Sequence, residues 1–415
     1  MRPGLLQLQS LPPLSLYVHL PWCIQKCPYC DFNSHAVNPT IAIHNVSGSP
    51  TQQGSQQGLR ESRLQTSVQQ KYIAALLADL DAALPLIWGR SVHSIFIGGG
   101  TPSLFAPEHI AELLSQIRAR LRLTAEVEIT LEANPGTFER DRFKAFREAG
   151  VNRLSVGVQS FNDAHLKTLG RVHSSDQAKA ALEEAAACFD TFNLDLMYAL
   201  PNQTMEELQG DLTTALSFKP PHLSIYHLTI EPNTYFAKYP PPTPDEDTAY
   251  AMLDTIVEAT ASMGLQRYEV SAFSQKGHGC WHNTNYWQFG DYLGIGAGAH
   301  SKLSFAHRVI RQVRTREPLA YMDAALKGNA ITIDDEIKHK ELPFEFMLNA
   351  LRLKDGVPLD YFLERTGLSA NAIKNGLQAA RDKGLMSADN PQKLQATERG
   401  FDFLSDLQEL FLPAS

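Results

Sequence analysis

The stretch SLYVHLPWCIQKCPYCDF, residues 15–32, runs a buried-strand pattern directly into three closely spaced cysteines. Residues 15–20 are mostly apolar, as a short strand buried on both faces requires. Cys23, Cys27 and Cys30 follow, separated by three and then two residues. Thiolates are soft ligands suited to zinc or to iron–sulfur clusters. A structural zinc site needs four ligands, and the remaining cysteines, Cys188 and Cys280, lie in other segments. Cys188 falls in the helical run ALEEAAACF, where a buried thiol is expected. Three loop thiolates can hold three irons of a 4Fe-4S cube and leave the fourth iron open as a reaction site.

Outward from this loop, short runs rich in Val, Ile and Tyr recur at 94–100, 127–134, 153–160, 192–200 and 222–230. Each has the length and composition of a buried strand. Amphipathic segments separate them. Ile73, Leu76, Leu77, Leu80 and Leu84 keep helical spacing, as do Ile110, Leu113, Leu114, Ile117 and Leu121. Further helical patterns lie near 138–149, 175–189, 204–217 and 245–262. Six strand–helix alternations predict an α/β fold with a parallel sheet and right-handed crossovers, closed or three-quarters closed as a barrel. A doubly wound open sheet is the alternative.

Four regions are expected: an N-terminal segment 1–14, a barrel with its extension over 15–310, a linker at 311–339 and a C-terminal domain at 340–415. Residues 36–69, rich in Gln, Ser and Gly, read as a flexible insertion in which His44 is not a ligand. The C-terminal region carries helical patterns around a short hairpin, as in a small winged-helix domain. It has 8 Lys or Arg and 11 Asp or Glu over 341–415, a net charge of −3. That balance favours packing on the barrel over DNA binding, which needs a basic face.

Composition is that of an ordinary globular chain: of 415 residues 43% are hydrophobic and 20% charged, with net charge −8. Neither a nucleic-acid coat nor a membrane span fits it, since no apolar run reaches roughly 20 residues. The opening MRPGLLQLQSLPPLS is too interrupted by Gln, Ser and Pro for a secretory signal. Five cysteines, three of them bunched, point to a reducing compartment and a cytoplasmic location.

Polar residues gather at the C-terminal ends of the expected strands: Gly98–Thr101, Glu132, Gln159, Asp195, Thr229 and Glu231. In βα barrels that rim carries the active site. A single such residue is explained as a strand-end cap; five strands together are not.

With the CxxxCxxC loop placed after a first strand and GGGTPS after a second, the chain resembles the radical S-adenosylmethionine (SAM) superfamily. Within it, the chain is similar to the oxygen-independent coproporphyrinogen III dehydrogenase family over nearly its whole length. The resemblance implies a partial (β/α)6 barrel with a winged-helix-like α+β domain. It also implies a 4Fe-4S cluster on Cys23, Cys27 and Cys30 whose open iron is chelated by the methionine end of SAM. An electron from the cluster then cleaves SAM to a 5′-deoxyadenosyl radical. Tyr29 is expected near the adenine, and Tyr17 at the border of the site. Gly99, Gly100 and Thr101 match the glycine segment that meets the SAM methionine. Glu132, Gln159, Arg171 and Asp195 match further SAM contacts. In LGIGAGAHS (293–301), Ala299 or His300 is expected to approach the ligand, with a tight backbone crossing as the alternative.

Two departures separate this chain from the dehydrogenases. Phe32 stands where they carry a further cysteine, and only 22 residues precede Cys23, where they have a longer extension. Both match the subgroup described as heme chaperones, which also shows HNxxYW, here His282-Asn283-Thr284-Asn285-Tyr286-Trp287. A neutral imidazole is a good axial ligand for heme iron, and Tyr286 and Trp287 could pack on a porphyrin face. His282 is therefore the candidate heme ligand, against a structural loop or Cys280. The implied partners are heme and an acceptor hemoprotein, with no nucleic acid and with membrane contact only through the acceptor. Coproporphyrinogen III oxidation and radical chemistry on an unrelated substrate stay open as alternatives.

Overall fold

The computed structural model describes residues 6–37, 42–44, 62–136 and 142–413. Six parallel strands carry the barrel: β1 (Leu14–Leu20), β2 (Ser91–Gly99), β3 (Arg122–Ala133), β4 (Arg153–Gln159), β5 (Thr191–Tyr198) and β6 (His222–His227). Between and after them run α1 (Thr66–Ala83), α2 (Pro107–Arg120), α3 (Phe143–Ala149), α4 (Ser175–Cys188), α5 (Met205–Ser217) and α6 (Glu246–Ser262). Local chemistry sets several of these starts. Ser174 with Gln177 and Thr204 with Glu207 form capping boxes at α4 and α5. Asp245 caps α6 through the Thr248 amide.

Each of the six strands pairs with the next in sequence, all in parallel. Every crossover therefore advances the same way, and right-handed connections place the helices on one face. This is a singly wound, partly closed barrel, not a doubly wound sheet. A seventh parallel strand, β9 (Asp291–Ile295), lies on the far side of β1. Its short DYLGI sequence, running straight into the glycines at 296 and 298, hides it from a strand pattern.

The sheet then continues antiparallel on both sides. Beside β6 lie β8 (Ala272–Ser274) and β7 (Gln266–Arg267). Beside β9 lie β10 (His300–Phe305), β11 (Arg308–Arg314) and β12 (Ile331–Glu336), giving twelve strands among the described residues. All six residues of β12 are exposed.

The segment expected as a linker, 311–339, is thus part of the barrel layer. It holds most of β11, the helix α8 (Pro318–Ala325) packed on α1, and β12. Arginines disguise β11 in the sequence RVIRQVR. Arg314 is in fact fully buried, with Nε 3.4 Å from Asp79 of α1. The insertion expected over 36–69 lies largely outside the described residues, and α1 begins inside its expected end.

The same Asp79 ties three elements together. Its Oδ2 accepts from the Gly296 amide at 3.3 Å and from the Tyr321 hydroxyl of α8 at 2.9 Å. About two turns earlier, Tyr72 donates to the His19 carbonyl and accepts from the Ala297 amide. Helix α1 thereby pins the glycine-rich segment after β9 against the end of β1. A Cβ at Gly296, whose φ is +111°, would sit 2.4 Å from the His19 carbonyl oxygen, so the close crossing requires glycine.

The C-terminal domain has its own core, which also takes in Leu6, Leu8 and Phe289. It contains α9 (Leu342–Ala350), α10 (Asp360–Thr366) and α11 (Lys374–Asp382), then the expected hairpin. One hairpin strand, Lys393–Leu394, pairs with Val357–Pro358, and Met386 bridges Ala396. Its α9 face packs on the barrel: the Phe346 ring lies 5.7 Å from Phe289, and Arg311 pairs with Glu345. Among the described residues no helix is long and apolar enough to cross a membrane.

Removing a carboxylate that balances a buried guanidinium is costly. Asp79→Ala is expected to lower the unfolding free energy by about 3–5 kcal/mol, read from the urea midpoint. A change under about 1 kcal/mol would show that Arg314 finds another partner.

Candidate functional site

The C-terminal ends of the parallel strands open into two adjoining cavities of about 470 and 480 Å³. Asp31, Phe32, Gly99 and Glu132 line both. The larger set of candidate residues faces the first cavity: Cys23, Cys27, Cys30, Tyr29, Gly99, Gly100, Thr101, Glu132, Gln159, Arg171 and Asp195. Tyr17, His282 and His300 face the second.

The cysteine chamber is built on a backbone extension of the β1–β2 ladder. Past the strand ends, the Gly100 amide donates to the Leu20 carbonyl and the Thr101 amide to the Trp22 carbonyl, both at 2.8 Å. A Cβ on Gly100 would lie 2.6 Å from the Trp22 oxygen. The glycines thus make room first for the incoming cysteine loop, and the same backbone then faces the chamber.

Burial, aided by the neighbouring Cys30 and Cys27 and opposed by hydrogen bonds from Thr101 and Ser34, pushes the Cys23 thiol up to about 11. Three thiols crowded this way would need a cation between them to lose their protons. Among the described residues no three His, Cys, Asp or Glu side chains close on one point as a single metal ion needs. The thiols frame a chamber wall instead, which suits a cluster with three protein ligands.

Arg171 reaches this wall from the loop after β4. Its Nη1 lies 3.8 Å from the Cys27 sulfur, and Nη2 donates to the Asn134 side chain and the Gly157 carbonyl. Its buried Nε has no partner. An unspent guanidinium edge in a chamber suits a carboxylate. Gln159 is aimed inward by a register shift between β4 and β5, with φ +73° in the left-handed region. Asp195 accepts from Asn193 at 2.6 Å and Ser155 at 3.3 Å; burial raises its pKa.

Glu132 stands between the chambers and accepts from the Gly99 amide at 3.1 Å. Burial, with Asp195 nearby, pushes it up to about 8, so it keeps its proton at neutral pH.

The histidine chamber is more aromatic. Tyr17, Phe32, Tyr286 and Tyr292 line it beside His282. Helix α7 (Trp281–Trp287) is held by Glu128 of β3, which accepts from the Trp281 and His282 amides at 3.1 Å each. The Cys280 thiol also donates to Glu128 and lines neither chamber. Ser94 donates to Ser15 at 3.0 Å, so at 2.9 Å it accepts from the Nδ1–H of His282. This tautomer leaves Nε2 as a bare lone pair. Burial lowers the His282 pKa to about 3, which keeps the imidazole neutral.

Other expectations separate here. Trp287, paired with Tyr286 in the sequence reading, turns to the C-terminal core under Arg352, 4.2 Å away. Cys188 bonds Glu184 on α4, away from both chambers. LGIGAGAHS is both a tight crossing and, at Gly298–His300, chamber wall. Sequence reasoning missed Asn134, Ser155 and Tyr226 in the first chamber, and Tyr292, Arg311 and Arg316 in the second. Asn134 follows Glu132 at the same strand end, and Arg311 and Arg316 belong to a run of four arginines over 308–316; both signals were visible.

The radical SAM superfamily profile matches residues 17–215 and the HemN C-terminal domain profile residues 337–403. Heme chaperone HemW of Haemophilus influenzae is 45% identical over 97% of this chain and 99% of its own length. The chain belongs to the HemW family of radical SAM proteins. HemW of Escherichia coli is 44% identical, over 97% of this chain and 99% of that protein. The structure of the radical SAM enzyme coproporphyrinogen III oxidase (HemN) from Escherichia coli superposes with a TM-score of 0.77. It covers 97% of this chain and 90% of that one at 23% identity, and so shows a shared fold. In this chain the cysteine loop and helix α7 contribute to the walls of the two adjoining chambers.

The protonated Glu132 carries a pH signature. In the folded chain it keeps its proton up to about 8, and in the unfolded chain it loses it near 4.5. Stability therefore falls as pH rises through that window. Glu132→Gln, in metal- and SAM-free protein, is expected to gain stability over the parent progressively from about pH 4.5 to about pH 8 in thermal melts. A difference independent of pH would contradict the buried-acid assignment.

Proposed function

We propose that this chain is a cytoplasmic heme chaperone that binds a 4Fe-4S cluster and SAM in the cysteine chamber, binds heme in the histidine chamber, and passes heme to acceptor hemoproteins. The observation that carries the reading is the neutral His282, with Nδ1–H fixed on Ser94 and Nε2 free, in an aromatic chamber sharing a wall with the three-cysteine chamber. An imidazole whose second nitrogen is hydrogen-bonded is oriented and made more basic for iron. The 45% identity to a protein named heme chaperone HemW supports the same assignment.

Cys23, Cys27 and Cys30 would hold the cluster, which when bound supplies an electron and an open iron to SAM. Arg171 offers its unpaired Nε to the SAM carboxylate. Glu132, protonated, donates rather than repels at the boundary, and the positive-φ Gln159 and the buried Asp195 present polar atoms to the rest of the cofactor. Tyr29 lines the same chamber for the adenine.

Coproporphyrinogen III oxidation is the second reading, because of the shared fold with HemN. Phe32, 66% exposed on the rim of both chambers, argues against it, since the dehydrogenases keep a thiol at that place. The C-terminal domain's acidic balance and its packing on the barrel support a partner other than nucleic acid. An acceptor in a membrane complex would be reached by peripheral contact.

The test is anaerobic. Reconstituted protein is titrated with heme and, in parallel, given coproporphyrinogen III, reductant and SAM. Stoichiometric heme uptake with no vinyl product is expected; protoporphyrinogen formation would overturn the chaperone reading. His282→Ala is expected to shift the Soret band and weaken heme binding by about tenfold or more. An unchanged band and affinity would reassign the iron ligand.

A further inference from the structure

The histidine chamber has a cationic corner that no motif announces. Arg311 of β11, Arg316 just beyond it and His300 of β10 all line the chamber. Arg311 is half spent: it donates to the Tyr292 hydroxyl at 3.1 Å and pairs with Glu345 of the C-terminal domain. Arg316 is not. Its guanidinium makes no hydrogen bond or ion pair among the described residues, although its backbone is fixed. Asn33, next to Phe32 in the cysteine loop, donates to the Arg316 carbonyl at 2.8 Å and to the Ala297 carbonyl at 2.9 Å.

The opposing charges on this chamber are few. Glu345 is engaged by Arg311, Glu317 is turned to cap α8 through the Leu319 and Ala320 amides, and Glu132 holds its proton at neutral pH. Asp31 is the remaining acid on the wall. The field is positive enough that Arg311, Arg316 and Arg314 add to burial in lowering the His300 pKa. An unpaired guanidinium on the wall of an aromatic cavity selects a flat ligand with a carboxylate at its edge, bound through a two-pronged contact that lysine cannot reproduce. The tyrosines at 286 and 292 supply the flat faces.

We propose that Arg316, assisted by Arg311, is the carboxylate anchor of the histidine chamber and takes the propionate groups of heme, fixing which edge of the ring faces the rim while the iron meets His282. This rests on the heme reading given above and adds the residues that orient the ring. It also assigns the chamber a selectivity: dicarboxylate porphyrins are taken, and their esters are not.

The test compares heme with heme dimethyl ester, which keeps iron and ring but lacks both charges. The parent chain is expected to bind heme about tenfold or more tightly than the ester. Arg316→Gln is expected to lose about tenfold in heme affinity while ester affinity and the Soret maximum stay unchanged. Because the Arg316 side chain has no structural partner, the variant is expected to melt with the parent. Arg311→Gln, which also breaks the Glu345 pair, serves as a second variant. Equal binding of heme and ester by the parent, or equal weakening of both in Arg316→Gln, would overturn the anchor and leave the chaperone reading standing. Protoporphyrin IX, followed by fluorescence, separates the two further. Its binding is expected to depend on Arg316 and not on His282. A chain that takes up no porphyrin of any kind overturns both readings.

Discussion

Two backbone hydrogen bonds, from Gly100 to Leu20 and from Thr101 to Trp22, set the position of everything at the rim. They carry the pairing of β1 and β2 beyond the sheet, so the cysteine loop leaves from a fixed frame. The contact is so close that neither partner tolerates a side chain at Gly100. Cys23, buried beside Thr101, then takes its place with little freedom, and Cys27 and Cys30 follow within one short loop. On the other side of β1, Tyr72 and Asp79 of α1 hold the segment after β9 just as firmly. The end of β1 is therefore clamped from both flanks, and both chambers open from it.

Apart from Asp31, the wall between the chambers is chemically quiet. Glu132 is neutral, Gly99 offers an amide already taken by that carboxyl, and Phe32 offers an inert ring. Strong charge is kept to the far ends: thiols and Arg171 on one side, Arg311 and Arg316 on the other. A partition with a single acid between two more polar ends lets each chamber hold a differently charged ligand with little opposition between the two fields.

Much of this was legible in the sequence. The strand–helix alternation and the cysteine spacing gave the barrel, and strand-end polar residues gave the first chamber, because in a singly wound sheet every strand end arrives at one rim. The parts that were not legible share one cause. Strand β9 is only five residues, Asp-Tyr-Leu-Gly-Ile, running into a tight glycine-rich crossing, and β11 is studded with arginines that ordinarily mark solvent. Only the buried pairing of Arg314 with Asp79, about 235 residues away in sequence, converts such a segment into sheet. The second chamber depends on those two strands, so Tyr292, Arg311 and Arg316 stayed hidden along with them. Trp287 was misplaced for a related reason: the seven-residue α7 turns adjacent side chains to different neighbours, one to the chamber and one to the C-terminal core.

A barrel left partly open keeps free edges, and β12 is the most exposed of them. Such an edge presents unpaired amides and carbonyls that could recruit a second copy and start fibrous assembly. Its sequence, Ile331-Thr-Ile-Asp-Asp-Glu336, ends in three consecutive acids on fully exposed positions. Two such edges meeting parallel and in register would bring carboxylates together along half their length. The charge on this edge thereby opposes in-register parallel stacking of open sheets, without a covering helix and without closing the barrel.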